Sequence, residues 1–163
     1  MCGISGIYSK NNDIENLLNS FNQSLNNRGP DNSSYFVSKK NYFGMSHTRL
    51  SILDLSDNGN QPMHDHSGDW VISFNGEIYN HLEIRDKILK KLNNIKIEWK
   101  GFSDTETILM ANFIFGFEEM LKILDGMFAF ALYNKKLNKL FIARDRLGEK
   151  PVYYYFKDRK FIF

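Results

Sequence analysis

The 163-residue chain has the composition of a folded protein, because 42% of its residues are hydrophobic and 25% are charged, whereas disordered chains contain much less apolar material. Its 21 basic and 19 acidic residues are mixed along the sequence and give a net charge of +2, which argues against the one-sided basic surface of a nucleic-acid-binding protein. No apolar run reaches the roughly 20 residues of a membrane-spanning helix, and the N-terminus has no signal-peptide pattern. We therefore expect one cytoplasmic domain over residues 1–163, without nucleic-acid or membrane partners.

The first half of the chain predicts a strand, a helix and further strands. The apolar run Gly3–Tyr8 favours a strand, and Asp13 is placed to cap a helix. The apolar face of that helix consists of Ile14, Leu17, Leu18, Phe21 and Leu25. Gly29 and Pro30 end the helix. Further strands are predicted at residues 34–37, 42–47 and 70–74. A polar loop at 54–69 precedes the last of them, and Asn75-Gly76 is expected to end it in a turn.

The second half predicts helices followed by strands. Apolar residues at helical spacing predict helices over 81–92 and 117–124, and a further helix is predicted over Asp104–Phe115, which is apolar nearly all round and should be covered on several sides. Strands are predicted at 127–133, 140–143 and 152–156, and a fourth starts at 161–163. The first of these strands is apolar without alternation, so both of its faces should be buried. A sheet with another sheet on one side and helices on the other buries a strand in this way. The pattern therefore predicts a layered α+β protein with stacked central sheets.

Cys2 is the single cysteine of the chain and directly follows Met1. A lone thiol excludes an intrachain disulfide and a thiolate zinc site. Removal of Met1 would leave Cys2 with both a thiol and a free α-amine that titrates near neutral pH, so the nucleophile would carry its own base. Gly3 and Gly6 beside it would let a substrate approach closely. From position alone, a chance placement of the cysteine is the alternative.

Seven motifs follow one another in an order that is typical of class II glutamine amidotransferases. They are MCGISGIY at the N-terminus, RGPD (28–31), RLSILD (49–54), NGEIYN (75–80), SDTE (103–106), GMFAFALYN (126–134) and RDRLGEKPVYYY (144–155). Over essentially its whole length the chain resembles the glutaminase domain of glutamine-dependent asparagine synthetases, which use an N-terminal nucleophile. The resemblance implies a four-layer αββα sandwich and the hydrolysis of glutamine to glutamate and ammonia through a thioester on Cys2.

The resemblance also implies roles for individual residues. Asn75 and Gly76 match the family's oxyanion hole, in which a side-chain NH₂ and a backbone N–H converge on one oxygen. Arg49 matches the clamp for the substrate carboxylate, a role that suits a planar guanidinium. Asp104 matches the ligand of the substrate's α-ammonium. The rest of the glutamine pocket corresponds to Leu50, Ser51, Ile52, Leu53 and Glu77.

Each of the main candidates has a structural alternative. Arg49 could be a solvated surface arginine, in which case Arg28 is the next candidate for the clamp. Asn75-Gly76 could be a simple hairpin turn. Asp104 could cap the helix that follows it, although Ser103 competes for that position. The family usually has a histidine where this chain has Asn27, a departure that bears on the ordering of the RGPD loop and not on catalysis.

No metal or cofactor is predicted for this domain. His64 and His66 flank Asp65 in a polar loop, but no third and fourth ligand is evident for a metal. His47 is expected to be packed and hydrogen-bonded, since the family mechanism uses no histidine. The chain contains no glycine-rich phosphate loop. We therefore expect ATP and Mg²⁺ only in a synthetase domain, absent from this chain, which would partner it near the apolar residues 161–163.

Two other functions are compatible with the sequence. The chain could be the glutaminase domain of another amidotransferase, because the chemistry of the ammonia acceptor lies outside it. It could also be a non-catalytic module that binds glutamine or docks a synthetase partner, with Met1 retained and the α-amine of Cys2 blocked. A homodimer is compatible with each of these functions.

Overall fold

The computed structural model describes residues 1–10, 13–93, 95 and 97–163. In this part of the chain, nine strands form two antiparallel sheets. The strands are β1 (Gly3–Tyr8), β2 (Asn32–Ser38), β3 (Phe43–Arg49), β4 (Met63–His64), β5 (Trp70–Ile78), β6 (Gly126–Asn134), β7 (Lys139–Arg144), β8 (Tyr155–Lys157) and β9 (Lys160–Ile162). One sheet has the order β2-β3-β1-β9-β8, and the other has the order β4-β5-β6-β7.

Helices cover the outer face of each sheet, and the inner faces of the two sheets pack together. The α-helices in the described ranges are α1 (Ile14–Leu25), α2 (His81–Lys91), α3 (Asp104–Phe115) and α4 (Phe117–Ile123). Helix α1 packs on the five-stranded sheet through Ile14 and Leu18, which contact Ile7. The other three helices pack on the four-stranded sheet. The predicted α+β sandwich with αββα layers is therefore confirmed. Within the described part, no helix is long and apolar enough to cross a membrane.

The core lies on both sides of β6. Phe128 and Phe130 pack against the helices that cover the four-stranded sheet. Ala131 and Tyr133 point the other way and meet Phe43 of the five-stranded sheet. Each buried phenylalanine among them contributes roughly 1.5–3 kcal/mol to stability. The prediction that this strand is buried on both faces is confirmed.

Strand β5 does not end at Asn75-Gly76, so the predicted turn is wrong. Asn75 pairs with Ala129 and Gly76 with Phe128, and the strand continues to Ile78. An Asn-Gly dipeptide favours a tight turn when the two flanking strands are consecutive in the chain. Here β6, which is distant in sequence, pairs with β5 over its whole length and keeps both residues in the strand. The hairpin alternative for Asn75-Gly76 is excluded for the same reason.

Three further predictions differ from the structure. Asp13 lies at the start of α1, but its side chain does not cap the helix and instead accepts a hydrogen bond from Asn16 Nδ2 over 2.6 Å. The predicted loop at 54–69 contains the short strand β4. The predicted strand at 152–156 is wrong over its first three residues, because β8 begins at Tyr155. The other predicted helices and strands are confirmed, with their ends shifted by at most a few residues.

Candidate active site

A cavity of about 100 Å³ lies where the start of β1, the end of β3, the middle of β5 and the start of α3 meet. It brings together most of the residues that the resemblance selects. Those that line it are Cys2, Arg49, Leu50, Ile52, Leu53, Asn75, Gly76, Glu77 and Asp104. Ser51 is the exception, because it lies outside the lining and its backbone N–H donates to Asp31 Oδ2 over 2.7 Å. Residues far apart in the sequence thus converge on one cavity.

The thiol of Cys2 lies against the backbone of Leu50. The Leu50 N–H donates to Sγ over 3.4 Å, and Sγ lies 3.7 Å from the Leu50 carbonyl oxygen. Arg28 Nε donates to the carbonyl oxygen of Cys2 over 3.1 Å. Arg28 does not line the cavity, so the structure gives it a role in holding the Cys2 backbone. These contacts fix the candidate nucleophile at the edge of the cavity.

Gly3 and Gly6, next to Cys2 on β1, make room for neighbouring side chains. A Cβ on Gly3 would lie 2.6 Å from Thr48 Oγ1, and a Cβ on Gly6 would lie 2.3 Å from the ring of Phe163. The space beside Gly6 is therefore filled by an aromatic ring. Close packing of β1, and not access for a substrate, explains that glycine.

The edge of β5 that faces away from β6 presents its backbone N–H groups to different partners. Phe74 N–H donates to Gln61 Oε1 over 2.7 Å, and Ile78 N–H donates to Asp104 Oδ2 over 2.9 Å. In an antiparallel strand, every second residue directs its N–H and C=O to the same edge. The N–H of Gly76 therefore lies on this edge between the other two, beside the cavity. Within the described ranges it has no hydrogen-bond acceptor.

Asn75 and Gly76 line the same cavity as Cys2. Asn75 is buried, and its side-chain amide has no hydrogen-bond partner among the described residues. A Cβ on Gly76 would lie 2.2 Å from the Met127 carbonyl oxygen, so a side chain there would force β5 and β6 apart. The cavity wall thus contains two unused donors, one from a side chain and one from the backbone. An oxyanion hole requires this combination.

Arg49 is buried, so the alternative of a solvated surface arginine is wrong. Nη1 donates to Ser56 O over 2.8 Å and to Asn60 Oδ1 over 2.7 Å, and Nη2 donates to Asp54 O. Because a guanidinium has five N–H hydrogens, the Nε–H and one Nη2 hydrogen remain without an acceptor in the described part of the chain. Such a pair suits bidentate capture of a carboxylate. Arg49 organises the 54–60 loop and still offers two donors.

Asp54 supports the same loop, a role that was not predicted from the sequence. Its Oδ1 accepts hydrogen bonds from Ser56 Oγ and N over 2.6 and 2.9 Å, and its Oδ2 accepts one from Phe102 N–H over 2.9 Å. Burial alone would raise the pKa of Asp54, but these hydrogen bonds and the charge of Arg49 outweigh it, and the pKa falls below its usual value. The Asp54-x-Ser56 spacing, which is typical of an Asx turn, was the available signal.

Asp104 is buried at the start of α3, beside the cavity. Ser103 caps the helix, because its hydroxyl accepts the Thr105 N–H over 3.1 Å; the cap alternative for Asp104 is therefore wrong. Burial raises the pKa of Asp104 to about 6, although the Ile78 N–H opposes the shift, and the charge of Glu77 adds to it. A cation bound beside this carboxyl would favour its ionised form. The environment therefore fits an ammonium ligand.

No histidine of the described residues lines the cavity that contains Cys2. His47 is buried, and its Nε2 donates to Phe74 O over 3.0 Å. Burial lowers the pKa of His47 to about 4, so the ring is neutral at neutral pH. The expectation of a packed, hydrogen-bonded His47 is confirmed. His64 packs edge-on against Phe36. In residues 1–10, 13–93, 95 and 97–163, no three histidine, cysteine or acidic side chains cluster closely enough to hold a metal ion.

A second cavity, of about 210 Å³, also reaches Cys2 and Asn75. Its walls are mainly apolar and include Ile142, Val152 and Tyr153. The position of this cavity could not be located from the sequence. The candidate nucleophile therefore lies between the first cavity, whose lining includes the charged residues Arg49, Glu77 and Asp104, and this apolar one.

A family model described as a glutamine amidotransferase domain matches residues 1–163. The chain belongs to the glutamine amidotransferase family. It is 39% identical to a putative glutamine-hydrolysing asparagine synthetase 2 of Methanocaldococcus jannaschii, over 100% of this chain and 33% of that protein. It is also 39% identical to glutamine-hydrolysing asparagine synthetase 1 of Bacillus subtilis, over 94% of this chain and 24% of that protein. The amidase chry2 of Gibberella zeae is 32% identical over 94% of this chain and 24% of its own length.

The resemblance stated from the motifs is therefore confirmed, and so is the assignment of the chain to an enzyme class. This glutamine amidotransferase domain spans between a quarter and a third of the length of the relatives it matches. The catalytic and binding roles of five cavity residues stay predictions: Cys2, Arg49, Asn75, Gly76 and Asp104. The geometry of the cavity is compatible with each of these roles.

Proposed function

We propose that this glutamine amidotransferase domain hydrolyses glutamine to glutamate and ammonia through a thioester on Cys2. The observation that carries the proposal is the composition of the 100 Å³ cavity. It combines a thiol, two unused oxyanion donors, an arginine with two unused N–H hydrogens and a buried carboxyl of raised pKa. These groups match the reactive amide, the α-carboxylate and the α-ammonium of glutamine.

Glutamine would bind through its amino-acid end. The Nε–H and Nη2–H of Arg49 would take the α-carboxylate, and Asp104 would take the α-ammonium. The side-chain amide would then extend toward Cys2, with its oxygen between the Asn75 amide and the Gly76 N–H. Binding at the amino-acid end holds the reacting carbon near the sulfur and so lowers the entropic cost of reaction.

The reaction requires the free α-amine that removal of Met1 would expose. The α-amine accepts the thiol proton, directly or through a water, and Sγ attacks the amide carbon. A C–S bond forms while the C=O π electrons move to the oxygen, where Asn75 and Gly76 donate to the developing charge. The intermediate collapses, the C–N bond breaks, and nitrogen takes the proton and leaves as ammonia. Water then attacks the thioester, the C–S bond breaks, and glutamate and the free thiol are regenerated.

The ammonia would serve a synthetase region that uses ATP and Mg²⁺ and that lies outside these 163 residues. Support comes from the names of the relatives, which are glutamine-hydrolysing asparagine synthetases three to four times as long as the matched region. The apolar cavity of about 210 Å³ beside Cys2 is the exit that we propose for ammonia. Apolar walls favour neutral NH₃ over its charged, protonated form.

The test is an assay of glutamine hydrolysis by the chain and its Cys2→Ala variant. Wild type should release ammonia and the variant should not, because the chain has no second thiol. With glutamine, aspartate, ATP and Mg²⁺ together, ammonia should form without asparagine or AMP. N-terminal mass spectrometry distinguishes this enzyme from a non-catalytic module, which would retain Met1. A Cys2→Ala variant with a tenth or more of wild-type activity would overturn the thioester mechanism.

The match to an amidase from Gibberella zeae favours one alternative within the same class. In that alternative, the domain supplies ammonia to an acceptor other than aspartate. Its glutamine chemistry would be identical, so the same Cys2→Ala experiment applies, and only assays of the longer protein with candidate acceptors separate the two.

A further inference from the structure

Gln61 is a buried residue whose side chain uses both ends to connect two elements of the cavity. Its Oε1 accepts the Phe74 N–H over 2.7 Å, and its Nε2 donates to Thr105 Oγ1 over 3.2 Å. Ser34 Oγ donates to the backbone carbonyl oxygen of Gln61. The side chain is therefore held between β5 and α3, and its backbone is held to β2.

The strand pairing explains why the Phe74 N–H is bound by the Gln61 side chain and not by a backbone carbonyl. In the β4–β5 ladder, Met63 is opposite Ile72, and the same register places Gln61 opposite Phe74. The ladder stops before it reaches Gln61, and the residue between, Pro62, has no N–H to donate. The Phe74 N–H would be left unpaired at a buried position, at a cost of about 1–3 kcal/mol. The Gln61 amide fills that position in place of a backbone carbonyl.

The two elements that Gln61 connects carry opposite ends of the proposed glutamine site. Phe74 directly precedes Asn75 and Gly76, the proposed oxyanion donors. Thr105 directly follows Asp104, the proposed ammonium ligand. The distance between the donors and the ammonium ligand must match the length of one glutamine molecule, and Gln61 is a direct link across that distance, alongside the Ile78–Asp104 hydrogen bond.

We propose that Gln61 is a positioning residue for glutamine hydrolysis, which sets β5 and α3 at the separation that the substrate requires. This inference rests on the proposed function. Gln61 acts through Phe74 and Thr105 and needs no contact with the reacting atoms. Loss of the link should therefore change both the oxyanion donors and the binding of the amino-acid end.

The experiment measures kcat and KM for glutamine in four variants. Gln61→Met keeps the side-chain length but removes both hydrogen bonds, so kcat should fall on the order of tenfold and KM should rise several-fold. Thr105→Val removes only the link to α3, so KM should rise while kcat stays within about twofold. In Gln61→Glu, the carboxylate still accepts the Phe74 N–H, and the Thr105 hydroxyl can turn to donate to it; kcat should recover most of the loss. Gln23→Met, at an exposed position of α1, is the matched control and should behave as wild type.

The outcomes separate this inference from the proposed function. An inactive wild type, or a Cys2→Ala variant as active as wild type, overturns both. With active wild type and inactive Cys2→Ala, kcat and KM of Gln61→Met within twofold of wild type overturn the role of Gln61 alone. A Gln61→Glu variant no better than Gln61→Met would show that only side-chain packing matters and would also overturn it. Thermal unfolding shows whether Gln61→Met is folded. If it is not, an unchanged KM for glutamine in Thr105→Val decides against the inference.

Discussion

The backbone N–H of Ile78 donates to Asp104 Oδ2 over 2.9 Å and so holds a buried carboxyl against the edge of strand β5. Burial dominates its ionisation, because the pKa of Asp104 rises to about 6 despite this hydrogen bond. The group is therefore ionised at pH 7.5 and mostly protonated at pH 5. The affinity of Asp104 for the α-ammonium of glutamine would thus change with pH near 6, where most aspartates are already fully ionised.

The first prediction is that KM for glutamine rises about tenfold between pH 7 and pH 5 in wild type. A carboxyl with a raised pKa becomes neutral as the pH falls through about 6, and a neutral group no longer attracts the ammonium. Asp104→Asn should show a high KM at pH 7.5 that varies little with pH. Asp86→Asn, at an exposed position of α2, should retain the wild-type profile. Steady-state kinetics at pH 5, 6, 7 and 8 provide the measurement, and a flat wild-type KM would refute the role of Asp104.

The second prediction concerns Arg49, which has more than one structural partner. Lysine keeps the charge, but its three N–H hydrogens lie on one nitrogen, so it cannot keep the present bonds to Ser56 O, Asn60 Oδ1 and Asp54 O and also offer a planar donor pair. Arg49→Lys should therefore raise KM for glutamine at least tenfold and lower the free energy of unfolding by about 1–3 kcal/mol.

Kinetics and urea unfolding measure the two effects of Arg49→Lys separately. Arg159→Lys, at an exposed position, is the control. If KM for glutamine is unchanged in Arg49→Lys, Arg49 is not the clamp for the substrate carboxylate.

The third prediction is that Asn75→Ala lowers kcat and leaves KM nearly unchanged. The charge on the oxygen develops only along the reaction path, and loss of one donor typically costs about 3–4 kcal/mol of transition-state stabilisation. The Gly76 N–H remains, so activity should be residual. The backbone pairing of Asn75 with Ala129 does not depend on the side chain, so thermal unfolding should change little. Asn19→Ala, exposed on α1, is the control, and a change in KM alone would place Asn75 among the ground-state contacts.

Local patterns in the sequence were enough to predict much of the fold. Helix α3 begins at Asp104 and ends at Phe115, as predicted for a segment that is apolar nearly all round. The unbroken apolar run around Phe130 predicts a strand buried on both faces, and β6 is one. In both cases the information lies within a dozen consecutive residues, because burial of that segment decides its conformation.

Properties that depend on distant partners could not be predicted in this way. Asn75-Gly76 favours a turn locally, but pairing with β6 keeps it in a strand. The hydrogen bond between Gln61 and Phe74 depends on where β4 ends, which no pattern in the polar loop indicates. The candidate site was assembled from motif resemblance for the same reason, since Cys2, Arg49 and Asp104 share a cavity only in the folded chain.

The last prediction concerns Asp145, which joins the RDRLGEKP segment to β6. Its buried carboxylate accepts N–H groups from Phe128, Glu149 and Lys150 over 3.1, 2.9 and 3.0 Å. Burial would raise the pKa of Asp145, but these backbone hydrogen bonds outweigh it and lower the pKa to about 2. Because the folded-state pKa lies below the unfolded value of about 3.9, this stabilisation is present above pH 4 and is lost as the pH falls toward 2. Asp145→Asn replaces one acceptor oxygen with an NH₂ group that cannot accept any of these N–H groups.

Asp145→Asn should therefore lower the free energy of unfolding at pH 7 by about 1–3 kcal/mol. The difference between wild type and variant should shrink as the pH falls from 4 toward 2, since the wild-type carboxylate loses its charge there. Urea unfolding at pH 7, 4 and 2.5 measures both effects, with Asp86→Asn as the exposed control. Equal stability of wild type and Asp145→Asn at pH 7 would mean that the three N–H groups find other acceptors, and that Asp145 does not anchor this segment to β6.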